Sequence, residues 1–395
     1  MDSAEHEGLR PKGNVPNLRF PEFQGEWEKC KFRDVCSIST GNKNTQDKID
    51  DGIYPFYVRS QTVERINSWT FDGEAILTAG DGVGVGKVFH HTYGKIGVHQ
   101  RVYILSDFKC DANYLFHFFS SKFYNRVKRM SAKNSVDSVR KEMITDMPLS
   151  LPSHQEQVKI GYLLSLLDER IATQSKIIDK LQSLIKGLED NLLDNPLWKK
   201  TYLRSFMQFF STNSLSWEQL SYKEGAIRNL HYGLIHGFQT RGINSASLPM
   251  IKNEAIPKQY TLCQVGDVAF ADASEDTGEI AKSVEFVDTI EGDTICGLHT
   301  IHGRDIKNRT VVGFKGFAFN SRYFHNQIKR LAQGTKVFSI TANNLSSCYV
   351  YLPEMDTQTV IVRLLKSYEE QLIIDRMIFK QYEKQKQYLL RQMFI

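Results

Sequence analysis

No run in the 395 residues approaches the ~18 consecutive apolar residues that cross a bilayer as a helix. The N-terminus from Met1 to Gly13 is polar and has no apolar centre, so residues 1–16 read as a flexible leader and not as a signal peptide. Cysteine is sparse. Cys30, Cys36, Cys110, Cys263, Cys296 and Cys348 form no CxxC pair, a pattern that predicts free thiols in a reducing cytoplasm and argues against structural zinc. The ten prolines include no adjacent pair. The Asp/Asn-Pro-Pro-aromatic loop with which an adenine methyltransferase holds its flipped base is therefore missing, and so is a Gly-x-Ser-x-Gly elbow. Charge of one sign is also scarce: the net charge is +5, an excess shared by many enzymes, so its placement must carry the argument.

What is present suits two to three globular domains, with 41% hydrophobic and 24% charged residues. The chain also reads as an internal duplication. Trp27-Glu28 recurs as Trp217-Glu218, and Phe32-Arg33-Asp34 as Tyr222-Lys223-Glu224. Gly97-Val98-His99 recurs as Gly297-Leu298-His299, Asn125 to Met130 as Asn326 to Leu331, and Leu151-Pro152 as Leu352-Pro353. The order is kept while the offset drifts, as two diverged copies with separately varied loops would give. Each copy opens with short apolar runs broken by glycine, such as Ala75-Ile76-Leu77 and Val268-Ala269-Phe270. These predict strands of a mixed α/β domain. A short aromatic helix, a strand ending at Leu-Pro and a long helix follow.

The long helices give the clearest periodicity. Steps of four and three from Ile160 visit Leu164, Leu167, Ile171, Gln174, Ile178, Leu181, Ile185, Leu188 and Leu192. The second copy visits Ile361, Leu365, Tyr368, Leu372, Asp375, Phe379, Tyr382, Lys386, Leu389 and Met393. A 3.5-residue period sustained this long specifies a left-handed coiled coil. The simplest packing of two such helices is against each other, antiparallel, with a globular unit at either end. Gln174 and Asp375 are polar at equivalent steps; a register lock and a solvated seam position fit them equally.

Among motifs that promise chemistry, Gly80-Asp81-Gly82-Val83-Gly84-Val85-Gly86-Lys87 imitates a phosphate loop. A Walker A loop needs glycine where Asp81 stands and Ser or Thr where Val88 stands, and the Rossmann spacing is missed as well. A glycine-rich turn between strands is the better reading, with Lys87 still able to reach a phosphate. His299-Thr300-Ile301-His302 has too few ligands for a metal centre and reads as a structural pair. Charge placement says more. Lys122, Arg126, Lys128, Arg129, Lys133, Arg140 and Lys141 face Asp137 alone, around the polar stretch Ser131-Ala132-Lys133-Asn134-Ser135. At the same place in the second copy stand Arg322, Lys329, Arg330 and Lys336 with no acid, around Ala332-Gln333-Gly334-Thr335-Lys336. Phosphates are met by Lys and Arg, and base edges by Arg, Asn, Gln, Ser and Thr. A basic run is usually a solvated face, but its recurrence in two copies favours DNA, with Lys87, Arg126, Lys128, Arg129, Lys133, Asn134, Arg322, Lys329, Arg330, Gln333, Thr335 and Lys336 as candidate contacts. Against a uniform basic groove, Ala269 to Asp293 holds eight acids and Lys282 alone. That stretch is expected to form a loop facing solvent or a partner, or to read cytosine N4 in part.

Three segments, Leu18-Arg19-Phe20-Pro21-Glu22-Phe23 leading to Trp27, Leu151-Pro152 followed by Gln155-Glu156-Gln157, and Arg330-Leu331-Ala332-Gln333-Gly334-Thr335 leading to Leu352-Pro353, resemble the specificity subunits of type I restriction–modification systems. The second copy departs from the Gln-Glu-Gln pattern with Asp356-Thr357-Gln358. The resemblance implies target recognition domains at 17–152 and 196–353 and conserved spacer helices at 153–195 and 354–395. It further implies a pseudo-twofold, non-catalytic subunit that reads a bipartite double-stranded DNA target. Two methyltransferase subunits would dock on it, and restriction–translocase subunits through them. S-adenosylmethionine, ATP and Mg²⁺ would belong to those partners. Two other readings remain: the recognition part of a fused restriction–methylation enzyme, and a coiled-coil scaffold without a DNA role.

Overall fold

A computed structural model describes residues 13–131, 138–238, 240–288, 290, 292–334 and 336–395. The leader up to residue 12 and the candidates Lys133, Asn134 and Thr335 lie outside the described residues. The chain divides into two compact units, Met1–Gln174 with Ile378–Ile395, and Ser175–Met377. It leaves the first unit within one long helix and returns within another.

The first unit comprises β1 (Glu28–Lys31), α1 (Phe32–Val35), β2 (Ser37–Thr40), β3 (Tyr54–Tyr57), β4 (Glu64–Ile66), β5 (Phe71–Ala79), β6 (Phe89–Val98), β7 (Val102–Ser106), α2 (Ala112–Met130), α3 (Lys141–Thr145), β8 (Pro148–Leu151) and the start of α4 (His154–Leu193). Its main sheet runs β2-β7-β5-β6-β3-β4, and β1 pairs with β8 apart from it. Ala75 to Ala79 of β5 are all buried between β6 and β7, which is why this strand reads as a continuous apolar run and not as an alternation. One face of the amphipathic α2 buries Leu115, Phe119, Phe123 and Val127 in the core.

The second unit comprises the end of α4, β9 (Lys199–Tyr202), β10 (Met207–Phe210), β11 (Leu220–Ser221), β12 (Arg228–Leu230), α5 (Tyr232–Gly237), β13 (Gly242–Ile243), β14 (Met250–Ile251), β15 (Val268–Ala271), β16 (Ala273–Ser274), β17 (Ser283–Phe286), β18 (Thr294–Cys296), β19 (Thr300–Asp305), α6 (Phe314–Ala318), α7 (Arg322–Leu331), β20 (Phe338–Ser339), α8 (Ala342–Ser347), β21 (Tyr349–Leu352) and most of α9 (Met355–Met393). Its five-stranded sheet runs β10-β19-β15-β17-β13. Position by position this repeats β2-β7-β5-β6-β3, with the same antiparallel pairings and the same final parallel pair. β21 with β9 repeats β8 with β1. The mixed α/β fold is thus duplicated. The second copy adds a four-stranded sheet, β11-β14-β12-β18.

Topology corrects one part of the sequence alignment. β9 occupies the place of β1, so Trp198, immediately before β9, matches Trp27 immediately before β1. Trp217-Glu218 instead opens a single 3-10 turn leading into β11 of the added sheet. A Trp-Glu dipeptide at the expected distance carried too little information to outweigh the insertion.

Both long helices start on the same device. In the first unit Gln157 of α4 donates to Pro152 O at 2.8 Å and accepts from Asp111 N at 3.0 Å. In the second, Gln358 of α9 donates to Pro353 O at 2.9 Å and accepts from Val311 N at 3.0 Å. The third residue of the Gln-Glu-Gln pattern thus keeps its role where the first two differ. Within the first unit Ile160 and Leu164 of α4 share a core with Leu389 and Met393 of α9. Within the second, Leu188 and Leu192 of α4 share one with Ile361 and Leu365 of α9. The start of one helix therefore meets the end of the other, an antiparallel pairing. All twenty positions of the 3.5-residue pattern, including Ile171, Ile178, Leu181, Leu372 and Phe379, are buried or half-buried.

Candidate nucleic-acid interface

In the first unit the glycine-rich segment is the β5–β6 connection, as a turn between strands requires. Gly86 has φ +65°, and a Cβ there would meet Tyr124 of α2 at 3.0 Å, so the turn lies directly on the helix. Lys87, exposed, places its ammonium 5.4 Å from the centre of the Tyr124 ring. Lys128 stands one helical turn beyond Tyr124 on the same face, and Lys128 and Arg129 are both exposed at the last turn of α2. Cations there also complement the negative end of the helix dipole. The returning chain closes on the glycine turn through Val139 N to Gly80 O at 2.7 Å and a bridge between Ser138 and Asp81. Asp81 faces two cations, Arg59 at 2.8 Å and Arg101 at 3.7 Å. The sequence pattern passed over both arginines, because neither belongs to a basic run.

Arg126 is placed differently. It is half-buried, and its Nε donates to Met143 O at 2.7 Å, joining α2 to α3. Burial, with Arg129 close by, lowers its pKa. Lys122 is half-buried as well, and desolvation lowers its pKa. Among the described members of the run, Lys128 and Arg129 at the helix end and Arg140 and Lys141 at the start of α3 present charge to solvent, while Lys122 and Arg126 do not.

In the second unit Lys329 and Arg330 are exposed at the last turn of α7. A tight turn follows, closed by Gln333 and Ser339, which exchange backbone hydrogen bonds at 3.0 and 2.8 Å. Gly334 has φ +125°, and a Cβ there would lie 2.0 Å from Val337 O, so only glycine fits. Gln333 and Lys336 are exposed on this turn. Arg322 is not with them. It opens α7, eight residues or roughly 12 Å along the axis from Arg330, with its guanidinium 3.9 Å from Asp190 on α4. There it lines a cavity of about 630 Å³ beside Arg241, Lys282, Glu189 and Glu369. Arg241 bridges Glu189 on α4 and Glu369 on α9, at 3.1 Å each. Burial raises the pKa of both carboxyls, and Arg241 opposes the rise.

The acid-rich stretch from Ala269 to Asp293 is not one loop. It includes β16 and β17, and Glu285 on β17 is fully buried, paired with Lys315 at 2.8 Å. Asp272 pairs with His299 at 3.0 Å, and Glu279 pairs with Lys282 at 3.0 Å and His236 at 3.3 Å. Glu275 and Asp276 remain exposed in the β16–β17 connection. Through β16 and β20 this connection joins the turn after α7, the position that the glycine turn takes beside α2.

The comparisons with known proteins agree with this arrangement. Residues 24–183 match the family described as Type I restriction modification DNA specificity domain. Over 168 residues the chain is 26% identical to the EcoDI specificity subunit of Escherichia coli; this spans 42% of the chain and 37% of that relative, little more than a third of its length. Across 94% of the chain and 92% of the relative it is 24% identical to the MjaVIII specificity subunit of Methanocaldococcus jannaschii. Its fold is similar to that of a crystallised type I restriction–modification S subunit from M. genitalium, with TM-score 0.65 and 13% identity over 96% of this chain and 99% of that one. It is also similar to a chain solved for complex assembly and conformational transition of the type I R-M system, with TM-score 0.53 and 12% identity over 92% and 96%. The chain thus carries a match to the type I restriction modification DNA specificity domain over residues 24–183, and in its duplicated mixed α/β units and long helices it is similar over nearly its whole length to type I restriction–modification specificity subunits.

Proposed function

We propose that each unit reads one half of a bipartite double-stranded DNA target, and that this chain contributes recognition while its partners contribute catalysis. One observation carries the reading: an exposed basic helix end, Lys128-Arg129 in one copy and Lys329-Arg330 in the other, recurs at the same place in the fold, each beside the connection between equivalent strands. Lys87, Gln333 and Lys336 extend these surfaces, the cations toward phosphates and the amide toward base edges. Two different surfaces would read two unrelated half-sites. The long helices would set their separation and dock two methyltransferase subunits, with restriction–translocase subunits attached through those. Off the seam, α4 exposes Tyr162, Leu166, Ile177 and Leu184, and α9 exposes Val360, Leu364, Ile374, Met377 and Tyr388. Apolar rows on a polar helix surface suit a protein partner. S-adenosylmethionine, ATP and Mg²⁺ would be held by the partners.

The test is the salt dependence of DNA binding by the assembled complex. Lys128→Ala with Arg129→Ala, and separately Lys329→Ala with Arg330→Ala, should weaken binding. The log–log salt slope should flatten by ~0.9 for every phosphate that a substituted side chain had neutralised. A slope unchanged in both double variants would leave a scaffold without a DNA role as the better reading.

A further inference from the structure

The second unit brings three soft or borderline ligands together in its interior. Cys263 precedes β15, Cys296 ends β18 and His302 lies on β19. Their exposures are 6%, 3% and 1%, and their ligating atoms lie within 4.8 Å of one another. Among the described residues no other group of three meets this condition. We propose that Cys263, Cys296 and His302 bind a zinc ion, with Asp267 orienting the imidazole.

Three features fit a metal better than a pair of inert thiols. The two sulfurs are 3.6 Å apart; tetrahedral zinc with Zn–S of ~2.3 Å separates two thiolates by roughly 3.8 Å. Next, His302 Nε2 lies 2.7 Å from Asp267 Oδ2, in a pair buried to 1% on both sides. With that nitrogen donating to the carboxylate, Nδ1 keeps the lone pair. Asp267 is itself fixed by Arg304, through Nε at 2.8 Å and a terminal nitrogen at 2.7 Å, and by Gln264 N at 2.8 Å. A carboxylate behind a histidine is the usual outer shell of a zinc ligand. Third, a polar cavity of about 280 Å³ opens onto Cys296 and His302, lined by Ser211, Thr212, Asn213 and Gln259 among others. It leaves room for a water as the fourth ligand.

Thiolate sulfur with imidazole nitrogen selects zinc over the hard cations. On binding, each thiol releases its proton to solvent, so uptake weakens at low pH. β18 belongs to the added four-stranded sheet and β19 to the five-stranded sheet. The ion therefore clips the insertion to the duplicated core and holds the second recognition domain in one shape.

The test uses the full chain, reduced, incubated with zinc chloride, desalted and analysed by mass spectrometry for metal. About one equivalent per chain is expected. It should be lost in Cys263→Ser with Cys296→Ser and retained in Cys348→Ser, another buried thiol of the same unit. Because the double variant could unfold, the wild-type chain is also loaded with Co²⁺. Intense visible bands of tetrahedral cobalt with a thiolate-to-cobalt band in the near ultraviolet are expected. Failure of the reduced chain to take up zinc, retention of the full equivalent by a folded double variant, or a cobalt spectrum without the thiolate band would each overturn the proposal.

Discussion

The two units share one strand order but solve the same stretch of chain differently. In the first, β6 is a single strand of ten residues that pairs with β5 along most of its length and with β3 at its end. In the second, the corresponding stretch is broken into β17 and β18, which lie in different sheets. The first unit joins β5 to β6 with a glycine turn laid against α2. The second joins β15 to β17 through β16 and the exposed Glu275 and Asp276. The framework that places the basic helix end is thus constant, and what sits beside that end is not. Under the proposed reading of two unlike half-sites, this is the division expected between scaffold and specificity, because base contacts come from side chains around a positioning framework.

The largest expected effect tests whether the framework includes the helices. Deleting residues 175–181 from α4 together with 376–382 from α9 removes one heptad from each and keeps the 3.5-residue seam in phase. At ~1.5 Å per residue the helices shorten by ~10 Å, about 3 base pairs. The methylated motif of a folded, active variant should keep both half-sites and change the spacer between them. An unaltered spacer would show that the helices do not set the distance.

A second experiment separates the units by their interiors. Lys315 and Glu285 form a buried ion pair in the second. Glu285 also accepts from Gly316 N at 2.7 Å. Lys315→Met would leave that carboxylate without its cation, at a cost of about 3–5 kcal/mol. Denaturant unfolding should show the loss in the second unit's transition, and Lys315→Met combined with Glu285→Gln should recover much of it. Equal loss in single and double variants would mean that packing of the lysine stem, not charge, stabilises this site.

The first unit has its own titratable weakness. His117 on α2 is buried, with Nε2 3.2 Å from Ser165 Oγ on α4. Burial, with Lys386 and His91 nearby, pulls its pKa down to about 3. An unfolded histidine takes its proton near 6.5. At pH 7 the group is neutral in both states. Below 6.5 the unfolded chain binds a proton that the folded one refuses, so stability falls with pH down to about 3, by roughly 2 kcal/mol at pH 5. His117→Asn should flatten that acid limb in the first unit and leave the second unit's unfolding curve alone. Identical pH profiles for the variant and the parent would place the acid sensitivity elsewhere.

The smallest effect concerns the unlike connections. If the β16–β17 connection lies beside DNA, Glu275→Lys should tighten binding at low salt and steepen the salt slope by up to ~0.9. No change in slope would put this connection away from the duplex.

The parts legible in the sequence are those whose physics is local or periodic. Twenty residues on a 3.5-residue step announced two paired helices, since burial of one stripe repeats with the helix itself. Leu151-Pro152 and Leu352-Pro353 marked where strands end and helices begin, because proline has no amide for a continuing ladder. Lys128-Arg129 and Lys329-Arg330 could be matched because each pair follows a buried residue, Val127 or Ile328, on an amphipathic helix. Tertiary structure alone decided the rest. Trp198, not Trp217, matches Trp27 because strand pairing sets the correspondence, and an inserted sheet shifts spacing without leaving a mark on composition. Arg241 meets Glu369 across 128 residues, and Cys263 meets Cys296 across 33. Meetings of that range depend on which strands lie side by side, a choice made by burial of the whole core and carried by no short stretch of chain.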